Sequence, residues 1–171
     1  MIDIGDLALR FGKHVSDCRS APTVCRVHVA FESWFRAELA YLLNTTERGI
    51  ERLSFDYSYP GTRAKADIVL KVGPDTVVFE LKSFVQGADA NKIAEFPKQT
   101  ERLRMLVDEG RANQAIALAT FVGYTETRIR ILLDRFFPST WHKTAPRSFV
   151  DGDPLQFVLA EFRSSSTSAA G

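Results

Sequence analysis

The chain has 171 residues, 45% hydrophobic and 25% charged, with a formal net charge of +1. That length suits one domain with a full core, and the near-zero charge excludes a polybasic nucleic-acid binder acting through its whole surface. No run is long enough to span a bilayer and no charged-then-apolar leader opens the chain, so no membrane partner and a cytoplasmic location are expected.

Residues 1–26 mix Gly, Asp, Ser and Pro around a short apolar patch (Leu7, Ala8, Leu9, Phe11) and read as a loosely packed N-terminal arm. The only cysteines, Cys18 and Cys25, are too few for a disulfide framework. With His14 and His28 they form His14-x3-Cys18-x6-Cys25-x2-His28, but these spacings match no established zinc pattern. Isolated, partly buried side chains are the expectation there. Residues 27–44 carry Phe31, Trp34, Phe35, Leu39, Leu42 and Leu43 at spacings of three and four, which predicts an amphipathic helix. Leu53, Phe55, Tyr57 and Tyr59 alternate over 51–59 and predict a strand.

Two more strands are expected at 64–72 and 76–84, joined as a hairpin by Gly73-Pro74-Asp75. Alternation puts Asp67 on one face with Arg63, Lys65 and Val69, and Glu80 on a face with Val78 and Lys82. Ile68, Leu70, Phe79 and Leu81 then point to the other side. Helical spacing returns from Ala90 to Glu109, with a short turn first and Pro97 near the first helical position. The apolar run from Asn113 to Val122 reads as a buried strand, and Thr125 to Phe137 as a helix capped by Thr125. Trp141, Phe136 and Phe137 are candidates for an apolar interface or, more simply, for core. Leu155 to Phe162 reads as a last strand at a sheet edge, and 164–171 as a disordered tail. The expected architecture is α/β, a single domain over 27–163 with a mixed β-sheet flanked by helices.

Asp67 and the Glu80-Leu81-Lys82 triplet carry the chemistry. Ionised groups inside such apolar strands are costly unless paired or bound to a cation. If the two strands pair so that their apolar sets coincide, two carboxylates and an ammonium converge on one patch of sheet. Paired carboxylates hold a hard divalent metal through oxygen, and a neighbouring lysine steadies a nucleophile or developing negative charge. The alternative is a solvated hairpin face on which Lys82 is a cross-strand partner.

A helix, an Asp in the second strand, Glu-x-Lys in the third, then a helix and a fourth strand resembles the PD-(D/E)XK nuclease superfamily. The matching residues are Asp67 and Glu80-Leu81-Lys82, and the resemblance spans about residues 27–137. Ala66 stands where the family name records Pro. The resemblance implies a restriction-endonuclease-like αβββαβ core and a metal-dependent nuclease, a DNA endonuclease first among the options. Glu38, Asp67, Glu80 and the Leu81 carbonyl would hold Mg²⁺ or Mn²⁺, with Glu38, Asp67, Glu80 and Lys82 as the catalytic set. Glu38 is preferred to Glu32 as the helix carboxylate because a wheel places it within the apolar stripe. Lys98 and Gln99, on the following helix, and Lys65 would touch substrate, within a basic rim of Arg63, Lys65, Lys71, Lys98, Arg102 and Arg104. The implied partner is nucleic acid, with a homodimer or a partner subunit as further options. The rival function is a non-catalytic nuclease-fold subunit serving as a binding or scaffold module in a nucleic-acid-processing complex.

Overall fold

The computed structural model describes residues 1–18, 31–58, 65–87, 89–149 and 155–163. Arg63, Cys25, His28 and the expected tail at 164–171 lie outside these residues. The described elements run α1 (Ile4–Asp17), α2 (Phe31–Thr46), β1 (Ile50–Ser58), β2 (Lys65–Val72) and β3 (Asp75–Val85). They continue as α3 (Ala90–Asp108), β4 (Gln114–Val122), α4 (Glu126–Phe136), β5 (His142–Lys143), β6 (Arg147–Ser148) and β7 (Leu155–Arg163). The strands form one mixed sheet in the order β1-β2-β3-β4-β7-β5, with β6 also on β7.

A short connection makes the antiparallel pair of β2 and β3. Gly73 adopts φ 55°, which lets two residues close the β2–β3 hairpin. β3 and β4 are parallel, and α3 supplies the crossover that a parallel pair requires. β4 is buried nearly throughout, and its residues divide between two cores. Ile116 and Leu118 join the core that contains α1 and α2, while Ala115, Ala117, Ala119 and Phe121 join the one beneath α3 and α4. The alanines leave room for the single aromatic of α3: Phe96 packs on Phe84 and Phe136 with ring centroids 5.5 and 5.1 Å apart.

The described part of the expected arm, residues 1–18, departs from the reading. α1 is a regular helix capped by Asp3, whose side chain accepts the Asp6 N–H, and it buries Ile4, Leu7, Ala8, Phe11 and Val15. Gln114 anchors its start by accepting the Ile2 N–H at 2.9 Å and donating to the Ile2 carbonyl at 2.7 Å. Glycine and aspartate made the segment look irregular, whereas its apolar residues recur on one helical face.

The position of Pro97 is a second correction, because α3 is continuous from Ala90 and contains Pro97 in its interior. A proline there costs roughly 3 kcal/mol through its missing N–H and its clash with the preceding turn. Burial of Phe96, Leu103, Leu106 and Val107 offsets that cost. Thr100 adds hydrogen bonds from its hydroxyl to the carbonyls of Pro97 and Phe136. β7 is a third correction. It pairs along its length with β4 and carries β5 and β6 on its other side, so it is not a bare edge. Trp141, Phe136 and Phe137 are buried in the second core rather than exposed as an interface.

Candidate active-site cleft

The β2–β3 ladder runs from Val72↔Asp75 to Ile68↔Phe79. Past that point Asp67 Oδ2 accepts the Leu81 N–H at 2.7 Å, so a side chain replaces the next ladder bond. β3 continues beyond the parting, held by β4 as far as Val85↔Val122. The first turn of α2 enters the opening. Glu32 Oε1 lies 3.1 Å from Lys82 Nζ, and Glu32 Oε2 accepts the Ser83 N–H at 3.3 Å.

β1 has a local adjustment at the same level. Its register is unchanged across this level, from Phe55↔Ile68 to Tyr57↔Ala66, which sets Asp56 opposite Asp67. Asp56 takes a left-handed backbone at φ 48°, which aspartate tolerates better than most residues. Arg36 serves both acids, with Nη1 2.6 Å from Asp56 and 3.8 Å from Asp67. Like charges on neighbouring strands repel, and the guanidinium reduces that repulsion.

Asp67, Glu80 and Lys82 line one cleft of about 300 Å³ together with Asp56, Lys65, Ala66, Gln99 and Arg102. Burial raises the Asp67 carboxyl above its usual range against the Leu81 N–H, which lowers it; the Glu32 charge raises it further, and Lys82 and Arg36 oppose. Glu80 moves further, pushed up to about 8 by burial and then by the Asp67 charge, with Lys82 and Arg102 opposing. Gln99 Oε1 is a buried acceptor with no hydrogen-bond partner. The cleft therefore combines two carboxylates of raised proton affinity, an ammonium held by Glu32, and an unsatisfied amide oxygen. Each carboxylate would gain from a cation placed near it.

Asp67, Glu80, Lys82, Lys65 and Gln99 thus line one cleft. Leu81 contributes its backbone N–H to Asp67 while its side chain lies in the opposite core. Lys98 is not brought in; it is exposed and paired with Glu95 at 2.7 Å. Lys71 lines a separate hollow with Arg52, Thr76 and Arg111, and Arg104 is paired with Glu101 and Asp108.

The preference for Glu38 over Glu32 is corrected by the packing. Glu38 faces α1, where its Oε2 lies 2.7 Å from His14 Nε2 and 3.9 Å from Cys18 Sγ. The carboxylate that reaches Lys82 belongs to Glu32. The wheel placed Glu38 on a buried side of α2 but could not say that α1 covers that side. Arg36 was missed as well, although it follows Glu32 by four residues and so shares its helix face.

Among the described residues, His14, Cys18 and Glu38 are the one group of three whose ligand atoms all lie within 4.8 Å of one another. Glu32, Asp67 and Glu80 stand in a more open arrangement than that. Comparison with protein-family models, curated proteins and solved structures finds no match.

Proposed function

We propose that this chain is a metal-dependent nuclease that hydrolyses phosphodiester bonds, acting on DNA as an endonuclease with a restriction-endonuclease-like core. The observation that carries the reading is the shared cleft of Asp67, Glu80 and Lys82, opened where β2 and β3 part. Its donors are hard carboxylate oxygens whose proton affinity is raised by burial and mutual repulsion, a set that suits Mg²⁺ or Mn²⁺. Asp67 and Glu80, with the Leu81 carbonyl, would hold such an ion, which supplies Lewis-acid polarisation and a more acidic water.

The remaining roles fall to the chain's own side chains. Lys82 brings positive charge to the place where a phosphoryl group would gain negative charge, and Glu32 fixes its ammonium. Gln99 offers its free amide oxygen to a water or a substrate hydroxyl. Lys65 and Arg102 give the cleft wall cations for backbone phosphates.

The non-catalytic reading draws on one observation: Glu32 already satisfies Lys82 and Asp67 already accepts from Leu81, as a structural network would. One assay separates the two. Purified protein is incubated with supercoiled plasmid, linear duplex, single-stranded DNA and RNA under Mg²⁺, Mn²⁺ or EDTA, beside Asp67→Asn and Lys82→Ala. Metal-dependent cleavage that falls by roughly 10²–10³-fold in both variants is expected. Cleavage undiminished in either variant, or none by folded protein, would reject the nuclease.

A further inference from the structure

We infer that His14, Cys18 and Glu38 form a zinc site that ties the end of α1 to the middle of α2. This site lies apart from the cleft and does not depend on the nuclease reading.

The geometry begins with helix spacing. His14 and Cys18 are four residues apart at the C-terminal end of α1, so their side chains share one side of the helix. Cys18 is the C-cap, with an extended backbone at φ −76° and ψ 111°, which turns it out of the helical path. Glu38 projects from α2 toward both. Its Oε2 lies 2.7 Å from His14 Nε2 and 3.9 Å from Cys18 Sγ, and the three ligand atoms fit within 4.8 Å. Tetrahedral zinc ligands at ~2.0–2.3 Å from the metal stand about 3.4–3.8 Å apart, so these atoms need to move by only about an ångström.

The surroundings favour an ion over a chance contact. The His14 ring stacks on Tyr41 with centroids 5.6 Å apart and planes 26° apart, which restricts the direction of Nε2. The His14 and Glu38 side chains are 21% and 22% exposed, sheltered yet open enough for an ion to enter. Cys18 packs against the first core with its thiol beside the paired Glu38 carboxylate and His14 imidazole, an unusual choice for filling space. The donor set of nitrogen, sulfur and carboxylate oxygen is borderline-soft, which favours Zn²⁺ over Mg²⁺ or Ca²⁺. Three protein ligands leave the fourth position to water.

Stripped protein titrated with Co²⁺ tests the site. One equivalent should give the near-ultraviolet band of a cobalt–thiolate bond and intense visible bands of tetrahedral cobalt. Stoichiometric Zn²⁺ should erase both, and a large excess of Mg²⁺ should not. Cys18→Ser should abolish the thiolate band. Glu38→Gln and His14→Asn should each weaken binding at least ~10-fold, whereas substituting the chain's other cysteine, Cys25→Ser, should leave the band intact. Absence of the band, or its loss in Cys25→Ser but not Cys18→Ser, would overturn the site. X-ray absorption of the zinc-loaded unsubstituted protein guards against variants that fail to fold. One sulfur among nitrogen and oxygen neighbours is expected, and two sulfurs or none would reject the assignment.

Discussion

Glu80 is only 7% exposed in the wall of the cleft, and burial followed by the Asp67 charge pushes its carboxyl from 4.5 up to about 8. The folded state therefore binds this proton more tightly than the unfolded chain does. Its stabilising contribution is fully present below about pH 4.5 and is lost as pH rises through about 8. The effect is on the order of a few kcal/mol, with the upward shift of Asp67 acting in the same direction. In EDTA, the melting temperature should fall between pH 5 and pH 9, and Glu80→Gln should flatten most of that fall. Parallel pH profiles for the two proteins would show that the carboxyl is not perturbed. A divalent cation added at high pH should recover stability in the unsubstituted protein and much less in Glu80→Gln.

At the scale of elements, α1 belongs to the core and is no appendage. Phe11 is fully buried and meets Phe35, Phe149 and Phe157 with ring centroids 6.0, 5.8 and 5.7 Å away. Phe11→Ala should destabilise the protein by about 3–5 kcal/mol in urea denaturation, because neighbours fixed on α2 and β7 cannot collapse into the space. A loss below ~1 kcal/mol would mean that the segment is peripheral. Glu32 and Arg36 rest on the next helix, α2, and reach the cleft because β2 and β3 part beside its first turn. A helix placed over an unbroken ladder would have left both side chains on the far face of the sheet. Legibility divides in the same way. Each strand of the hairpin could be read from its own alternation, but the adjacency of α1 and α2 involves residues twenty or more positions apart. No local period encodes that contact.

Taken as a whole, the molecule has little net charge, so any attraction to a phosphodiester backbone must come from where its cations stand. Lys65, Lys82 and Arg102 line the cleft, while Lys98, Arg104 and Arg130 are engaged by carboxylates on their own helices. Two or three phosphate contacts predict a log–log salt slope of roughly −2 to −3 for a short duplex bound in Ca²⁺. Fluorescence anisotropy across a salt series measures it. A slope near zero would remove nucleic acid as the ligand, and one beyond about −6 would require a much larger basic surface than the cleft offers.

The sequence by itself determined the elements whose signal is local. Alternation fixed β2 and β3, with Asp67 and Glu80 on one face and Ile68, Leu70, Phe79 and Leu81 on the other, because strand side chains repeat every two residues. Gly73 marked the turn, and the apolar run through Ala117 marked the buried strand β4. Tertiary structure alone decided which carboxylate of α2 meets Lys82, since Glu32 and Glu38 are both plausible on a wheel. It also decided that Asp56 takes a left-handed backbone opposite Asp67, that Pro97 stays within a helix, and that His14 and Cys18 find Glu38. Each of these depends on the partner that packing supplies, and a burial cost can be met only once that partner is in place.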